Sequence, residues 1–467
     1  MIKKLLYILF SAIVAASMFT GCIEDGFTHS PSDAPAFSVD TLKMGVVFTD
    51  APTPTYSFKV FNHNKKGLNI SSVTLAGENP SIFRLNVDGF AGTEFHDVEI
   101  RAKDSIFVFV EATPPANGEL KPRRSSATVY FQVNGVTYPV VLTLDGQDVE
   151  RISALNVTSD LTLSALRPYL VKDSIVVAPG ATLTLAPGTT LLMHDKSYIA
   201  VDGTLISGGT PEQPVRITGD RMGNVIPDVS FDIMSRQWGG VWFSASSRGN
   251  SLQFTEISNT TDGVNVFGDG TASSPVLTLR NSRLRNSGTR VLTAVDTYVD
   301  ARGCEFAEAA DGLVLLNGGT YRFDLCTLAN NYLFSAISDA AWIFPDALKT
   351  PQPSPANIPT KAYITNSITY GIGSDCNPGD LTGHDIRFER CLFKADGKDD
   401  DNFISSLWNV DPLFYTVRED YLFDYRLQPD SPAIGAAYVS LSDVSLGVDY
   451  YGNSRNSDLG AYVYVNQ

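Results

Sequence analysis

The chain has 467 residues, 43% of them hydrophobic and 18% charged, with 37 glycines and 25 prolines; this is the make-up of a folded, turn-rich protein of more than one domain. Its formal net charge of −16 argues against nucleic acid, or an anionic membrane face, as a direct electrostatic partner.

At the N-terminus Lys3 and Lys4 precede the apolar run "LLYILFSAIVAASMF", short for a bilayer span, which leads into "FTGC". The run and the residues before Cys22 resemble a bacterial lipobox. The resemblance implies a lipoprotein signal peptide over residues 1–21, cleavage before Cys22, and lipidation of the Cys22 thiol and new amino group. Glu24 and Asp25 follow at once and are similar to the acidic export tag of surface lipoproteins in the Bacteroidetes. The expected location is therefore the cell outer membrane, lipid-anchored and surface-exposed, with the membrane as a partner through the anchor. Residues 22–36 are polar, with two prolines and no periodicity, and read as a flexible tether.

Residues 37–148 alternate as strands. "YSFKVFN" places Tyr56, Phe58 and Val60 on one face, and "ATVYFQVNGVTYPVVLTL" reads as a hairpin around Asn134-Gly135. Turn signals about every ten residues predict a small β-sandwich. The segment resembles the immunoglobulin-like (Ig-like) modules of bacterial surface proteins.

From about Ile152 short strands recur with an internal period. "VVAPGATLTLAPGTTLLM" repeats Ala-Pro-Gly around a strand too short to form a sheet alone, so each turn is a coil corner and "ATLTL" pairs one coil further along. Five segments then align without gaps: "NSLQFTEI", "LTLRNSRL", "VDARGCEF", "YRFDLCTL" and "IRFERCLF", with "KAYITNSI" as a weaker sixth. The sixth positions Thr255, Ser282, Cys304, Cys326, Asn366 and Cys391 are spaced by 27, 22, 22, 40 and 25 residues. Such a repeat without helical pattern predicts the coils of a parallel β-helix over 150–467, with one insert near 338–360.

First, third, sixth and eighth positions are mostly apolar and point inward. Cys304, Cys326 and Cys391 fall in one inward column as buried thiols; a Cys304–Cys326 disulfide is the alternative, since stacked strands lie about 4.8 Å apart. Second and fourth positions point outward and place Asp300 beside Arg322 and Arg302 beside Asp324. Asn259, Asn286 and Asn330 share a column past the second strand, interrupted by Glu308, and suggest a ladder of stacked amides.

The chain thus resembles the right-handed parallel β-helices of the pectate-lyase-like superfamily. "YLVKDSIVVAPGATLTLAPGTTLLMHDKSYIAVDGTLISGGTPEQPVRITG" with "WGGVWF" is similar to their opening coils. "DYRLQPDSPAIGAA" and "GVDYYGNSRNSDLGAY" are similar to a C-terminal segment, read here as a cap (402–467) over the last coil, hiding its unpaired edge. The superfamily holds lyases, hydrolases and inactive members, so the resemblance does not assign an activity.

The chemistry is sparse. "NTTDG" (Asn259–Gly263) and "GHD" (Gly383–Asp385) do not reproduce the order of polygalacturonase motifs. The carboxylates Asp396, Asp399, Asp400 and Asp401 are the candidate Ca²⁺ ligands, though Gly, Lys and Asn in the same run mark a solvated loop. Asp300, Arg302, Arg322 and Asp324 are the candidate acid–base set, with mutual neutralisation between coils as the simpler account. Trp238 and Trp242 read as packing, and Trp342, in the insert, as the tryptophan placed to stack on a sugar. The expectation is a surface lipoprotein whose β-helix binds an extended ligand, a polysaccharide, without catalysis. The alternatives are a polysaccharide lyase or glycoside hydrolase acting on the same face, and an adhesive stalk that binds protein.

Overall fold

The computed structural model describes residues 26–226, 229–377, 379–441 and 446–466, so the signal segment and Cys22 lie outside the described residues. Among the described residues the protein is all-β, built of strands and short 3₁₀ turns. Contacts divide it into one unit ending at Asp148 and a second beginning at Val149.

The first unit has two five-stranded sheets. Alternation decides their faces: along Ser105–Ala112 the residues Ile106, Val108, Val110 and Ala112 are buried, whereas Phe107 and Phe109 are exposed. Phe58 and Val60 enter the same core, with Tyr56 packed at its margin. Arg123–Val133 and Val136–Gln147 form the long hairpin, and both Asn134 (φ 52°) and Gly135 (φ 82°) take the left-handed conformation its two-residue turn requires. The stretch expected as a free tether docks in part: Phe27 bridges Gly67, and Thr28 N donates to Gly67 O at 2.9 Å.

The second unit is a parallel β-helix, a 25-strand sheet in which each strand pairs with its counterpart one coil on. Thr182–Leu185, between the Ala-Pro-Gly turns, pairs with Leu161–Leu163 and Thr204–Gly208 rather than with its neighbours in sequence. Leu277, Val299 and Tyr321 stack in register, as do Leu284, Phe306 and Leu328. The fifth position of every unit is left-handed: Phe254, Asn281, Gly303, Leu325, Asn366 and Arg390 have φ between 42° and 64°. This corner shifts the alternation by one residue, which is why positions one and three and positions six and eight all face inward.

Three expectations need correction, and of the two readings of Cys304 and Cys326 the buried thiols hold and the disulfide falls. The weaker unit is displaced by one residue, because Tyr321 and Ile386 pair with Ala362, not Lys361. Trp342 is fully buried: Trp342–Ile343 is itself a coil strand, paired with Val314 and Cys376, and the ring packs between Phe323 (5.0 Å) and Phe388 (5.8 Å). The excursion from the coil therefore begins after Ile343. Cys304 and Cys326 are free buried thiols in adjacent coils, with no disulfide between them. Last, the C-terminal segment does not simply cover the last coil. It folds back along the outside, where Phe414, Tyr425, Leu427, Ala433, Tyr450, Leu459, Ala461 and Tyr462 pack on Phe254, Ala307, Ala329, Ile368 and Leu392 from successive coils.

Two carboxylates of its motif hold that segment in shape. Asp449 accepts from Tyr451 N, Asn453 N and Val463 N at 2.9–3.0 Å. Asp458 accepts from Gly435 N and Tyr464 N at 2.9 Å. Gly460 (φ 85°) makes the closest approach to the sheet, since a Cβ there would lie 2.7 Å from Thr327 Oγ1 and 2.8 Å from Ile368 Cδ1.

Candidate functional site

The seventh position of each coil unit points outward on the second strand. The register aligns Arg216, Glu256, Arg283, Glu305 and Thr327 there, so opposite charges alternate up one column. Position nine, beside it, carries Ser258, Arg285, Ala307 and Ala329.

The C-terminal segment covers the middle of this column. Arg283 Nε donates to Tyr462 Oη at 2.8 Å, and its guanidinium lies 4.1 Å from the Tyr450 ring centre and 4.8 Å from that of Tyr451. Glu305, 1% exposed, accepts from Tyr462 Oη at 2.5 Å and from Arg285 Nε at 2.9 Å. Burial works against its charge, but Arg285 and Arg283 outweigh burial and hold the carboxyl below the usual range. Burial likewise opposes the charge on Arg285, and Glu305 holds that guanidinium protonated. Three residues on, Glu308 accepts from Tyr425 Oη and from Asn331 N and forms no ion pair among the described residues, and burial, outweighing these bonds and the more distant Arg285, pushes its carboxyl up to about 8.

The other end of the column opens into a groove of about 390 Å³. The sheet contributes Arg216, Thr218, Glu256, Ser258, Arg285 and Asn286. Ser230, Asp232 and Ile233 come from the segment of the 3₁₀ turn Phe231–Ile233, and Tyr421, Leu422 and Phe423 from the C-terminal segment. Ser230 Oγ caps the turn by accepting from Asp232 N at 3.1 Å. Asn259 and Asn286 fix it against the coils, each donating from Nδ2 to Asp232 O at 2.8 Å. The expected ladder of stacked amides does not form among the described residues, because Asn259 and Asn286 donate to a carbonyl of this turn and Asn330 Nδ2 donates to Ala309 O at 2.9 Å. Tyr421 and Leu422 are 42% and 60% exposed. The groove offers carboxylates, guanidinium groups, hydroxyls and an amide beside an exposed aromatic ring.

The residues singled out from sequence lie elsewhere. Asp300, Arg302 and Asp324 are buried at 6%, 3% and 5% exposure, while Arg322 is exposed. The strand register is as expected, but Asp300 binds Arg302 on its own strand (2.8 Å) and Arg280 on the coil before (3.1 Å). Asp324 accepts from Thr365 Oγ1 and Asn366 Nδ2 at 2.7 and 3.0 Å. The C-terminal segment lies over the adjoining corners, with Asn281 Nδ2 donating to Val448 O and Tyr438 N to Asn366 Oδ1. Asp300, Arg302 and Asp324 brace the coils.

Asp396 and Asp400 line a separate cavity of about 540 Å³ with Asp375, Lys394, Lys398 and Trp408. Neighbouring N–H donors engage two of the four acidic residues: Asp399 accepts from Ser406 N and from the Trp408 indole Nε1, and Asp400 from Asn402 N and Phe403 N. With Asp401, they do not converge; among the described residues no three His, Cys, Asp or Glu side chains group as metal ligands. The groove residues Arg216, Asp232, Glu256 and Tyr421 escaped the sequence reading. The alternation Glu256, Arg283, Glu305 at position seven was the signal for part of it.

No family model and no curated protein sequence matches this chain. Among solved structures, the catalytic unit of a thermostable GH87 α-1,3-glucanase from Streptomyces thermodiastaticus aligns at 10% identity over 75% of this chain and 75% of its own, with a TM-score of 0.29. A GH87 α-1,3-glucanase catalytic domain in complex with nigerose aligns at 8% identity over 77% of this chain and 88% of its own, TM-score 0.17. A family 123 glycoside hydrolase from Clostridium perfringens aligns at 12% identity over 25% of this chain, TM-score 0.18, and the match spans only 26% of that enzyme. Likeness at this level assigns no activity, and the β-helix stands on its own strand pairing.

Proposed function

We propose that this protein is a lipid-anchored surface protein of the outer membrane whose β-helix binds an extended polysaccharide in the groove at Arg216, Glu256 and Arg285, without cleaving it. The observation that carries the reading is the pairing, in one open groove, of charged and hydroxyl groups on the sheet with the exposed ring of Tyr421. A sugar presents hydroxyls that donate and accept at its edge and a C–H face that packs on an aromatic ring. The groove crosses three coils, from Arg216 through Glu256 to Arg285, which suits a chain-like ligand. The anchor rests on the "FTGC" pattern at Cys22.

One observation favours hydrolysis as the second reading: Asp232 and Glu256 both line the groove, and glycoside hydrolysis uses two carboxyl groups flanking the bond. A screen of the full chain against plant and host glycans, scoring both binding and released reducing or unsaturated ends, separates the readings. Binding without release, weakened by Arg216→Ala and Tyr421→Ala in folded protein, is the expected result. Release abolished by Glu256→Gln or Asp232→Asn replaces binding with catalysis, and failure to bind any glycan removes both. Palmitate labelling that persists in Cys22→Ala sinks the anchor.

A further inference from the structure

We infer that a divalent cation of the calcium class sits at the coil corner beneath the loop 344–359, held by oxygens of Asp296, Asn317 and Asp346 with Thr297. Among the described residues few buried side-chain N or O atoms lack a hydrogen-bond partner, and four of them belong to residues of this corner: Asp296 Oδ1, Thr297 Oγ1, Asn317 Oδ1 and Asp346 Oδ1. Such atoms are rare in folded proteins, and a cluster of them calls for a ligand.

The fold brings them together around Gly318. In adjacent coils Val295 pairs with Asn317 and Thr297 with Gly319, which sets Asp296 beside Gly318. A Cβ on Gly318 (φ 65°) would lie 2.5 Å from Asp296 Oδ1 and 2.6 Å from Ser354 Cβ and Oγ, so only glycine fits between these side chains. Asp346 reaches the same point from the loop. Its Oδ2 accepts from Thr360 Oγ1 at 2.7 Å, and Thr360 Oγ1 accepts from Gly318 N at 2.8 Å. Tyr321 Oη donates to Gly318 O and Ala294 O beside the same corner.

The donor set is all oxygen, the chemistry of a hard cation. Protein donors serve only one oxygen of each carboxylate. Asp296, 1% exposed, accepts from Ala356 N at 2.8 Å through Oδ2. His384 Nδ1 lies 3.3 Å from Asp346 Oδ2, which leaves Oδ1 unserved. Buried carboxylate oxygens without a counter-charge are unfavourable, and a bound cation removes the penalty. A cavity of about 250 Å³, lined by Asp296, Thr297, Gly270, Ile358 and Lys361, gives the ion a route in. The bound ion would pin the long excursion after Ile343 to the coil.

The test uses the full chain stripped with EGTA and titrated with Ca²⁺ by calorimetry and with Tb³⁺ by luminescence sensitised by Tyr321. One site per chain is expected, with Ca²⁺ raising the melting temperature. Asp296→Asn and Asp346→Asn each weaken the affinity roughly tenfold or more, while Asp399→Asn and Asp400→Asn leave it unchanged. Should the first two variants fail to fold, Thr297→Val is the substitute and lowers the affinity in the same titration. No binding at millimolar Ca²⁺, or binding indifferent to the corner variants, overturns the site and leaves a corner occupied by water.

Discussion

Glu305 and Glu308 lie three residues apart on one strand, both buried under the C-terminal segment, yet hold opposite protonation states at neutral pH. Glu305 meets Arg285 at hydrogen-bond distance and is ionised, whereas Glu308 meets Tyr425 and Asn331, with no cation bonded to it among the described residues, and keeps its proton up to about pH 8. Burial acts on both, and the partner decides the outcome.

A pH dependence of stability follows. Between about pH 5 and pH 8 the unfolded chain has Glu308 ionised, while the folded protein retains the proton. Stability is therefore greatest below the unfolded pKa and falls as pH rises, by up to about 1.4 kcal/mol per pH unit, until the folded group ionises near 8. Glu305 is charged in both states across this window and adds no slope. Urea unfolding at pH 5.5 and 7.5 should show the loss in the wild type and a much flatter profile in Glu308→Gln; equal profiles would remove the assignment.

Neutralising Glu305 leaves Arg285 buried without its counter-charge. Glu305→Gln should destabilise by about 3–5 kcal/mol, and Tyr462→Phe, which deletes the hydrogen bonds to Arg283 and to Glu305, by about 2 kcal/mol. Guanidinium unfolding curves of the two variants would show whether that order holds.

Gly460→Ala forces a Cβ against Thr327 and Ile368 and strains a left-handed residue. The expected outcome is a C-terminal segment that undocks more often, with a loss of about 1–3 kcal/mol and faster proteolysis after residue 404. Unchanged digestion kinetics would mean that the sheet relaxes to accept the methyl.

Trp342 anchors an aromatic column inside the β-helix, where its Nε1 also donates to Thr369 Oγ1 at 2.9 Å. Trp342→Ala should cost about 3–5 kcal/mol and leave glycan binding by any surviving folded protein intact. A variant that stays stable but loses binding would return Trp342 to the ligand site.

Much of this fold can be read from the chain because each coil repeats the same inward columns. The one-residue slip at Lys361 and the misplaced Trp342 both flank the long excursion, where spacing stops counting coils. Position seven was equally legible, since Glu256, Arg283 and Glu305 alternate in the aligned units. What covers that column was not legible, because Tyr450, Tyr451 and Tyr462 come from far along the chain and carry no period.

The sequence by itself determined the scaffold: the corner residues, the inward columns and the stacking of coils, since in-register parallel strands copy a period-two pattern from one turn to the next. Only the tertiary structure decided which outward charges stay open. The C-terminal segment folds back over Arg283, Glu305 and Glu308 but only borders Arg216 and Glu256, as one wall of their groove. Burial under a distant segment makes the first three structural, and its absence leaves the last two to face a ligand.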